Sequence, residues 1–467
     1  MRASALAIGG TISLTEADLP DSDLPAPPFS SRLTGHLPQY SRDALGFFTS
    51  CARDYGDFVP LRFGPIRAFA IHSPELIEQV LVTDYRKFTK GNLLRRNRML
   101  FGNGLLVSEG DFWRRQRKLA QPAFHRERIN AYGKIMIDCA EEVLLNWKDG
   151  ETRDVHAEMM RLTLEIVTRT LFSAGAGDAE AEKVGRALHD AQESVMKRMR
   201  QPIKFPDRVP TPANRQLGRA VRVMDSIIYE IIRERRESGE HPGDLLDLLL
   251  QVRDEDDGTG MSDKQLRDEA LTVYLAGHET TALALTYVFY LLARNPEADR
   301  KLTEELDSVL SGRPPEPADR ARLPYAEAVL TEAMRLYPPV WAVARNAIED
   351  YELGGHRIPA KGTVITTQWA MHHDPRYFDN PEKFRPERWA NDFAKTLPKY
   401  AYFPFGGGPR VCIGNTFALM EGILLLAAIR QRFQLRLVSD APLELLPAIT
   451  LRPKHGVMVR LSGQPGR

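Results

Sequence analysis

Cysteine is nearly absent. The chain has three in 467 residues, Cys51, Cys139 and Cys412, odd in number and far apart. This excludes a disulfide framework and fits a reducing compartment. Net charge is also missing: 63 basic against 62 acidic residues leave +1, and with it no electrostatic case for nucleic acid. No long apolar run is uninterrupted. The longest, Leu271 to Leu292, contains Gly277, His278, Glu279, Thr280 and Thr281, so it reads as a buried central helix and not as a membrane span. The first sixteen residues hold only a weak apolar stretch diluted by Ser, Gly and Thr. We therefore expect no transmembrane anchor and no secretory signal, with the cytoplasm as the default location. No period of 20 to 50 residues recurs, which disfavours a solenoid.

What is present supports a large core under a charged surface, 43% hydrophobic and 27% charged. Residues 1–40 form an extended Pro-rich lead, and 41–467 read as a single domain. Its fold class is mainly α with small β-sheets (α+β). Phe58 to Phe63 and Ile66 to Ile71 predict a hairpin, followed by a helix capped at Ser73 with Pro74 at its first position. Gly91 to Gly110 loses periodicity and reads as a long loop. Its Arg95, Arg96 and Arg98 suit either a lid over a lipophilic molecule with an acidic end or a solvated basic surface. Trp113 and Arg117, four apart, share one helical face. The 134–250 region alternates helices with polar breaks. Ser262 and Gln265 form a capping box, with Met261 and Leu266 as a staple, so a helix starts firmly there and runs to about Arg294. Pro324 to Tyr337 is another helix. Tyr351 to Leu353, Arg357 to Pro359 and Thr363 to Thr367 read as strands of a second small sheet.

Phe405 to Gly414 reads Phe-Gly-Gly-Gly-Pro-Arg-Val-Cys-Ile-Gly. Three glycines let backbone approach a flat partner and take positive φ. The helical pattern from Asn415 places the Cys412 sulfur at a helix amino terminus, which favours thiolate. Taken alone, the stretch fits either a loop against a large ring or a turn over a buried thiol. Ala276 to Thr281 likewise fits either a polar kink in a core or a site with an acid beside a hydroxyl. There Thr280 can bond back to the carbonyl of Ala276 and loosen the turn. Glu332 and Arg335, three apart, meet on one helical face.

Phe405, Gly408, Arg410, Cys412 and Gly414 complete a Phe-x-x-Gly-x-Arg-x-Cys-x-Gly pattern that resembles the haem-binding signature of the cytochrome P450 superfamily, of the soluble bacterial type. The stretch Ala276-Gly277-His278-Glu279-Thr280-Thr281 is similar to the family's oxygen-activation motif. The likeness runs from about Tyr40 to the end. It implies the cytochrome P450 fold, with haem b (iron protoporphyrin IX) between the long central helix and the cysteine loop and Cys412 as the metal ligand. Glu279 and Thr280 are then catalytic, handling protons for dioxygen. The same likeness assigns haem contacts to Trp113, Arg117, Ala276, Gly277, Arg345, Phe405, Gly406, Arg410, Cys412 and Gly414, and a structural network to Glu332, Arg335 and Arg388. The implied activity is haem-dependent monooxygenation of a lipophilic substrate, a fatty acid or a terpenoid or carotenoid-like molecule. Family pocket positions fall on the Leu93 to Leu106 loop, Val340 to Ala344 and Ile449 to Leu451. The alternatives are a hydrogen-peroxide-dependent peroxygenase and, with less support, a haem-binding sensor. No flavin or iron–sulfur motif appears, so the expected electron donor is a separate ferredoxin or flavodoxin with its NAD(P)H reductase, docking on basic residues such as Lys399 and Arg430.

Overall fold

The computed structural model describes residues 24–463, apart from Arg32, 92–96, 174–182, 256–257 and scattered positions between 184 and 208. Arg95, Arg96 and most of the proline-rich lead lie outside the described residues. The part of the lead that is described runs beside the first hairpin. There the His36 N–H donates to the Arg62 carbonyl at 2.8 Å and the Gly64 N–H to that of Thr34 at 3.0 Å.

A helix over Asp263–Arg294 organises the chain. At about 1.5 Å per residue it spans about 48 Å. It starts where the sequence predicts: Ser262 Oγ accepts from the Gln265 N–H and the Gln265 side chain accepts from the Ser262 N–H, satisfying donors that a helix leaves free. It stops at Asn295, before Pro296 opens the next helix. The long helix has two apolar halves. Leu266, Leu271 and Tyr274 pack with Leu217, Met224 and Ile228 in one core cluster. Ala282, Leu285 and Phe289 pack with Leu330, Ile423 and Leu424 in another. Residues 276–281 fall between the two, where the apolar pattern is broken.

The β side differs in part from the expected one. Phe58–Phe63 and Ile66–Ile71 form the predicted hairpin. The strand Thr363–Thr366, expected in a second sheet with 351–359, pairs in parallel with Ile66–Ile71 instead. It continues the first sheet through Val343–Ala347 to Phe88–Lys90. Tyr351–Leu353 and His356–Ile358 remain a two-stranded hairpin of their own. The Gly91 to Gly110 stretch also carries more structure than a loop. Arg98–Phe101 is a short helix, and residues 103–105 are docked on the long helix by Asp268 and Glu269, which accept from the N–H groups of Asn103 and Leu105 at 2.8 and 2.9 Å. Arg98 is exposed.

Candidate active site

The cysteine loop owes its shape to its glycines. Gly406 and Gly408 sit at φ +73° and +65°. A Cβ on Gly407 would meet the Tyr400 ring at 2.2 Å, and one on Gly408 the Leu81 carbonyl at 2.0 Å, so no side chain fits at either. The Cys412 N–H donates to the Phe405 carbonyl at 3.0 Å and closes the loop. Gly414 caps the helix Asn415–Arg432. Cys51 and Cys139 are buried, whereas Cys412 is exposed although Ile413 beside it packs in the core cluster of Leu271 and Tyr274. Open to the surface on one side, the Cys412 sulfur is still surrounded closely enough by protein for desolvation to push its thiol up, against the Gly414 N–H and the Arg117 charge, which pull it down. The pull towards thiolate expected at a helix terminus is therefore present but outweighed. Arg117 itself donates to the Val411 carbonyl at 2.8 Å, bracing the loop one residue before the sulfur.

On the long helix the side chains around the break are divided by direction. Ala276 is exposed in a helix otherwise mostly buried, and Gly277 and Thr280 are part-buried beside it. The Thr280 hydroxyl donates back to the Ala276 carbonyl at 2.7 Å, as the sequence predicts. Glu279 turns the other way. Its Oε1 accepts from Thr450 Oγ1 and from Arg452 Nε, both at 2.5 Å. Burial opposes the charge on Glu279, but Arg452 and these hydrogen bonds together hold its carboxyl below the usual carboxylate range. Glu421, on the cysteine helix, is 1% exposed. Burial pushes its carboxyl up to about 8 against a hydrogen bond with Thr281.

A third group of residues asks for anions. Arg410 donates to Glu109 Oε2 at 2.5 Å, yet its Nε and Nη1 are buried without a partner. Its guanidinium lies 5.3 Å from the Trp113 ring centre, and the Lys90 ammonium 5.8 Å from the same centre. Burial, then the Arg410 charge, bring Lys90 down to about 7 and Arg345 down to about 10. Three cations thus crowd around Glu109, and two unused N–H donors of Arg410 point to carboxylates as partners. Among the described residues no group of three or more His, Cys, Asp or Glu side chains is placed to hold a metal ion. A lone sulfur with a flat, glycine-lined approach and cations for two carboxylates fits a metal that brings its own planar, acidic ring.

The chain matches the family model described as Cytochrome P450 over residues 25–459. It belongs to the cytochrome P450 family. It is 39% identical over 416 residues to a cyclooctat-9-en-7-ol 5-monooxygenase of Streptomyces melanosporofaciens, covering 89% of this chain and 90% of that one. It is 37% identical to a cyclooctatin synthase of the same organism, covering 90% and 91%. A pentalenene oxygenase of Streptomyces avermitilis is 34% identical, covering 93% and 96%. As a cytochrome P450 the chain is a haem-iron monooxygenase. Among the described residues no helix is long and apolar enough to cross a membrane.

In this P450 the Glu332, Arg335 and Arg388 side chains come together and are buried. Arg335 Nε and Nη2 each donate to Glu332 at 2.9 Å, and Arg388 Nε approaches Glu332 at 3.4 Å. The Trp389 indole also donates to Glu332 at 2.9 Å, and Arg388 Nη1 donates to Asp379 at 2.7 Å. The link to the cysteine loop runs through backbone. Arg335 donates to the His372 carbonyl at 2.8 Å, His372 Nε2 accepts from the Phe403 N–H at 3.1 Å, and Tyr402 donates to the Thr331 carbonyl at 2.9 Å. One expectation fails. Arg430, suggested as a docking residue, is 4% exposed and paired with Asp299 at 2.5 and 2.8 Å, so it cannot meet a partner protein. Lys399 is on the surface, beside Glu78 at 3.1 Å. Sequence reasoning missed Lys90, Glu109, Glu421 and Arg452, and it placed Thr450 within a pocket segment without its bond to Glu279. Glu109 lies 301 residues from Arg410 and Arg452 lies 173 from Glu279, separations at which no local pattern could pair them.

Proposed function

We propose that this cytochrome P450 holds haem b between the long helix and the Phe405–Gly414 loop and hydroxylates an unactivated carbon of a lipophilic, terpenoid-like substrate. The observation that carries the reading is the convergence on one ring-shaped cofactor of an exposed Cys412, the open Ala276 to Thr280 turn, and Arg410 with two buried unpartnered N–H donors. Haem iron bound through Cys412 supplies dioxygen reduction and transfer of one oxygen atom to carbon. The chain does the rest. Arg345, Arg410, Trp113 and Lys90 orient the ring through its propionates, and Arg117 keeps the sulfur loop in place. Thr280 presents a hydroxyl to the cleft, and Glu279 supplies it with protons. Leu105, Leu106 and Ile449, which pack on the same core cluster as Ile413 beside the cysteine, supply an apolar wall that excludes water.

Cyclic terpenoids are favoured over fatty acids by the relatives' names, which speak of a cyclic alkenol and an alkene as substrates. Electrons come from a separate ferredoxin or flavodoxin with its NAD(P)H reductase, and the protein works in the cytoplasm. The test supplies a surrogate ferredoxin and reductase, ¹⁸O₂, and a panel of cyclic terpenes, terpene alcohols and long-chain fatty acids. One ¹⁸O atom in a terpenoid product is the expected result. Product from fatty acids alone would overturn the substrate class, and equal rates with hydrogen peroxide and no reductase would overturn the dioxygen route.

A further inference from the structure

Glu109 stands at a helix start and does not serve that helix. It is the N-cap residue of Gly110–Ala120, which carries Trp113 and Arg117, yet its side chain accepts nothing from the free N–H groups of the first turn, as a side-chain oxygen there commonly does. It turns to two other segments. Oε1 accepts from the Lys90 backbone N–H and Oε2 from Arg410 Nη2, both at 2.5 Å. The side chains of Glu109 and Arg410 are 17% and 8% exposed. The strand Phe88–Lys90 pairs with Val343–Ala347 in a register that sets Lys90 directly opposite Arg345. Like charges so placed weaken a strand pair, so the sheet holds this arrangement against a cost. Lys90 Nζ donates to the Leu105 and Ser108 carbonyls and Arg345 Nη1 to that of Ala344, neutral groups that leave both charges uncancelled. The other acid near Lys90, Glu269, is taken up by the Leu105 N–H and by Gln116, and burial pushes its carboxyl up to about 7. Glu109 is thus the acid in contact with the cluster.

Three cations against one carboxylate leave two positive charges, and a haem brings two propionates. Arg117 stands outside this sum, because it is turned to the Val411 carbonyl and the Cys412 sulfur. We propose that Glu109 is the charge-setting residue of the haem site: it holds Arg410 by one nitrogen, leaves the other two for the ring, and reduces the charge of Lys90, Arg345 and Arg410 to that of two propionates. Glu109 is a positioning residue, acting through Arg410 and Lys90, and the inference rests on the reading of the site as a haem site. Its consequence is electrical. Adding one electron to the bound iron puts negative charge beside this cluster, and an uncancelled cation there favours it. With Glu109 in place the loaded cluster is neutral and the potential is held low. Without the Glu109 charge one cation is uncancelled, and reduction becomes easier. Lys90 works in the opposite sense, since loss of its ammonium leaves a carboxylate uncancelled.

The test uses haem-loaded wild type, Glu109→Gln, Glu109→Asp, Lys90→Met, the double variant Glu109→Gln/Lys90→Met, and Asp111→Asn. The midpoint potential of each is read by dithionite titration in a spectroelectrochemical cell at about pH 6, below the value of about 7 to which burial and the Arg410 charge bring Lys90, so that its ammonium stays charged. Asp111, on the same helix but 88% exposed at its side chain, is the control for a charge in solvent. The potential should be higher than wild type in Glu109→Gln and lower in Lys90→Met. It should lie close to wild type in the double variant, in Glu109→Asp and in Asp111→Asn. Because Glu109 and Arg410 are little exposed, the rise in Glu109→Gln should persist when salt is raised, a condition that screens exposed charges. An unmoved or lowered potential in Glu109→Gln, or a double variant as low as Lys90→Met, would overturn the charge-setting role. Should Glu109→Gln take up no haem, uptake by the two apoproteins decides: haem bound by Glu109→Asp and not by Glu109→Gln supports the need for a carboxylate, and uptake by neither overturns it. A wild type whose reduced, carbon-monoxide-bound spectrum lacks the cysteine-ligated band would overturn the haem reading itself, a result distinct from failure of Glu109 alone.

Discussion

Thr280 contributes a hydroxyl and no packing that alanine would greatly disturb, so Thr280→Ala isolates its chemistry. Proton delivery by a placed group is worth about 10²–10⁴-fold. In Thr280→Ala we expect product formed per dioxygen consumed to fall about tenfold or more while dioxygen consumption continues, measured with an oxygen electrode and product analysis. Arg410 acts differently. Arg410→Leu removes charge-assisted bonds worth about 1.5–3 kcal/mol each, so haem should leave about 10–100 times faster to an apo-globin acceptor, with the cysteine-ligated spectrum unchanged. Glu421 gives a pH prediction. Its folded pKa, about 8, lies above its ordinary 4.5, so the folded state keeps a proton that the unfolded state releases. Its contribution is fully present below about 4.5 and is lost as pH rises through about 8. The melting temperature of wild type relative to Glu421→Gln should therefore fall across that window. An equal slope in both proteins would contradict the buried neutral acid.

At the scale of elements, the network around Glu332 joins the helix Pro324–Leu336 to the segment ending in Trp389 and, through His372 and Tyr402, to the cysteine loop. Glu332, Arg335 and Arg388 are all buried, and a broken buried pair leaves an uncompensated charge at a cost of about 3–5 kcal/mol. Arg335→Leu should lose stability on that scale in denaturant unfolding and load little haem. Elements were also where sequence was most legible. The long helix was readable because Ser262, Gln265 and Pro296 mark its ends with local chemistry. The turn of the cysteine loop was readable because Gly406 and Gly408 take the positive φ that glycine allows, whereas the Leu81 carbonyl against Gly408 comes from a remote segment. The parallel pairing of Ile66–Ile71 with Thr363–Thr366 was not, since strand pattern fixes which face is buried and not which distant strand is the neighbour. Nor was the burial of Arg430, because an arginine on a helix looks the same in sequence whether or not an Asp299 waits on the adjoining helix.

For the whole molecule, two core clusters flank one break in one helix, and the hairpin Leu445–Pro453 reaches that break at Glu279. The sequence placed Cys412, Glu279 and Thr280 in their motifs, but the charges that answer them came from three remote segments: Glu109 and Lys90 beside Arg410, and Arg452 beside Glu279. The arrangement depends on a cofactor that engages the cysteine and the cations together. The most direct measurement is the absorption spectrum of the dithionite-reduced, carbon-monoxide-bound protein, in wild type and in Cys412→Ser. A strongly red-shifted Soret band in wild type that is lost in Cys412→Ser is the predicted result. Haem binding without that shift in wild type, or the same shifted band in Cys412→Ser, would contradict Cys412 as the iron ligand and the site built around it.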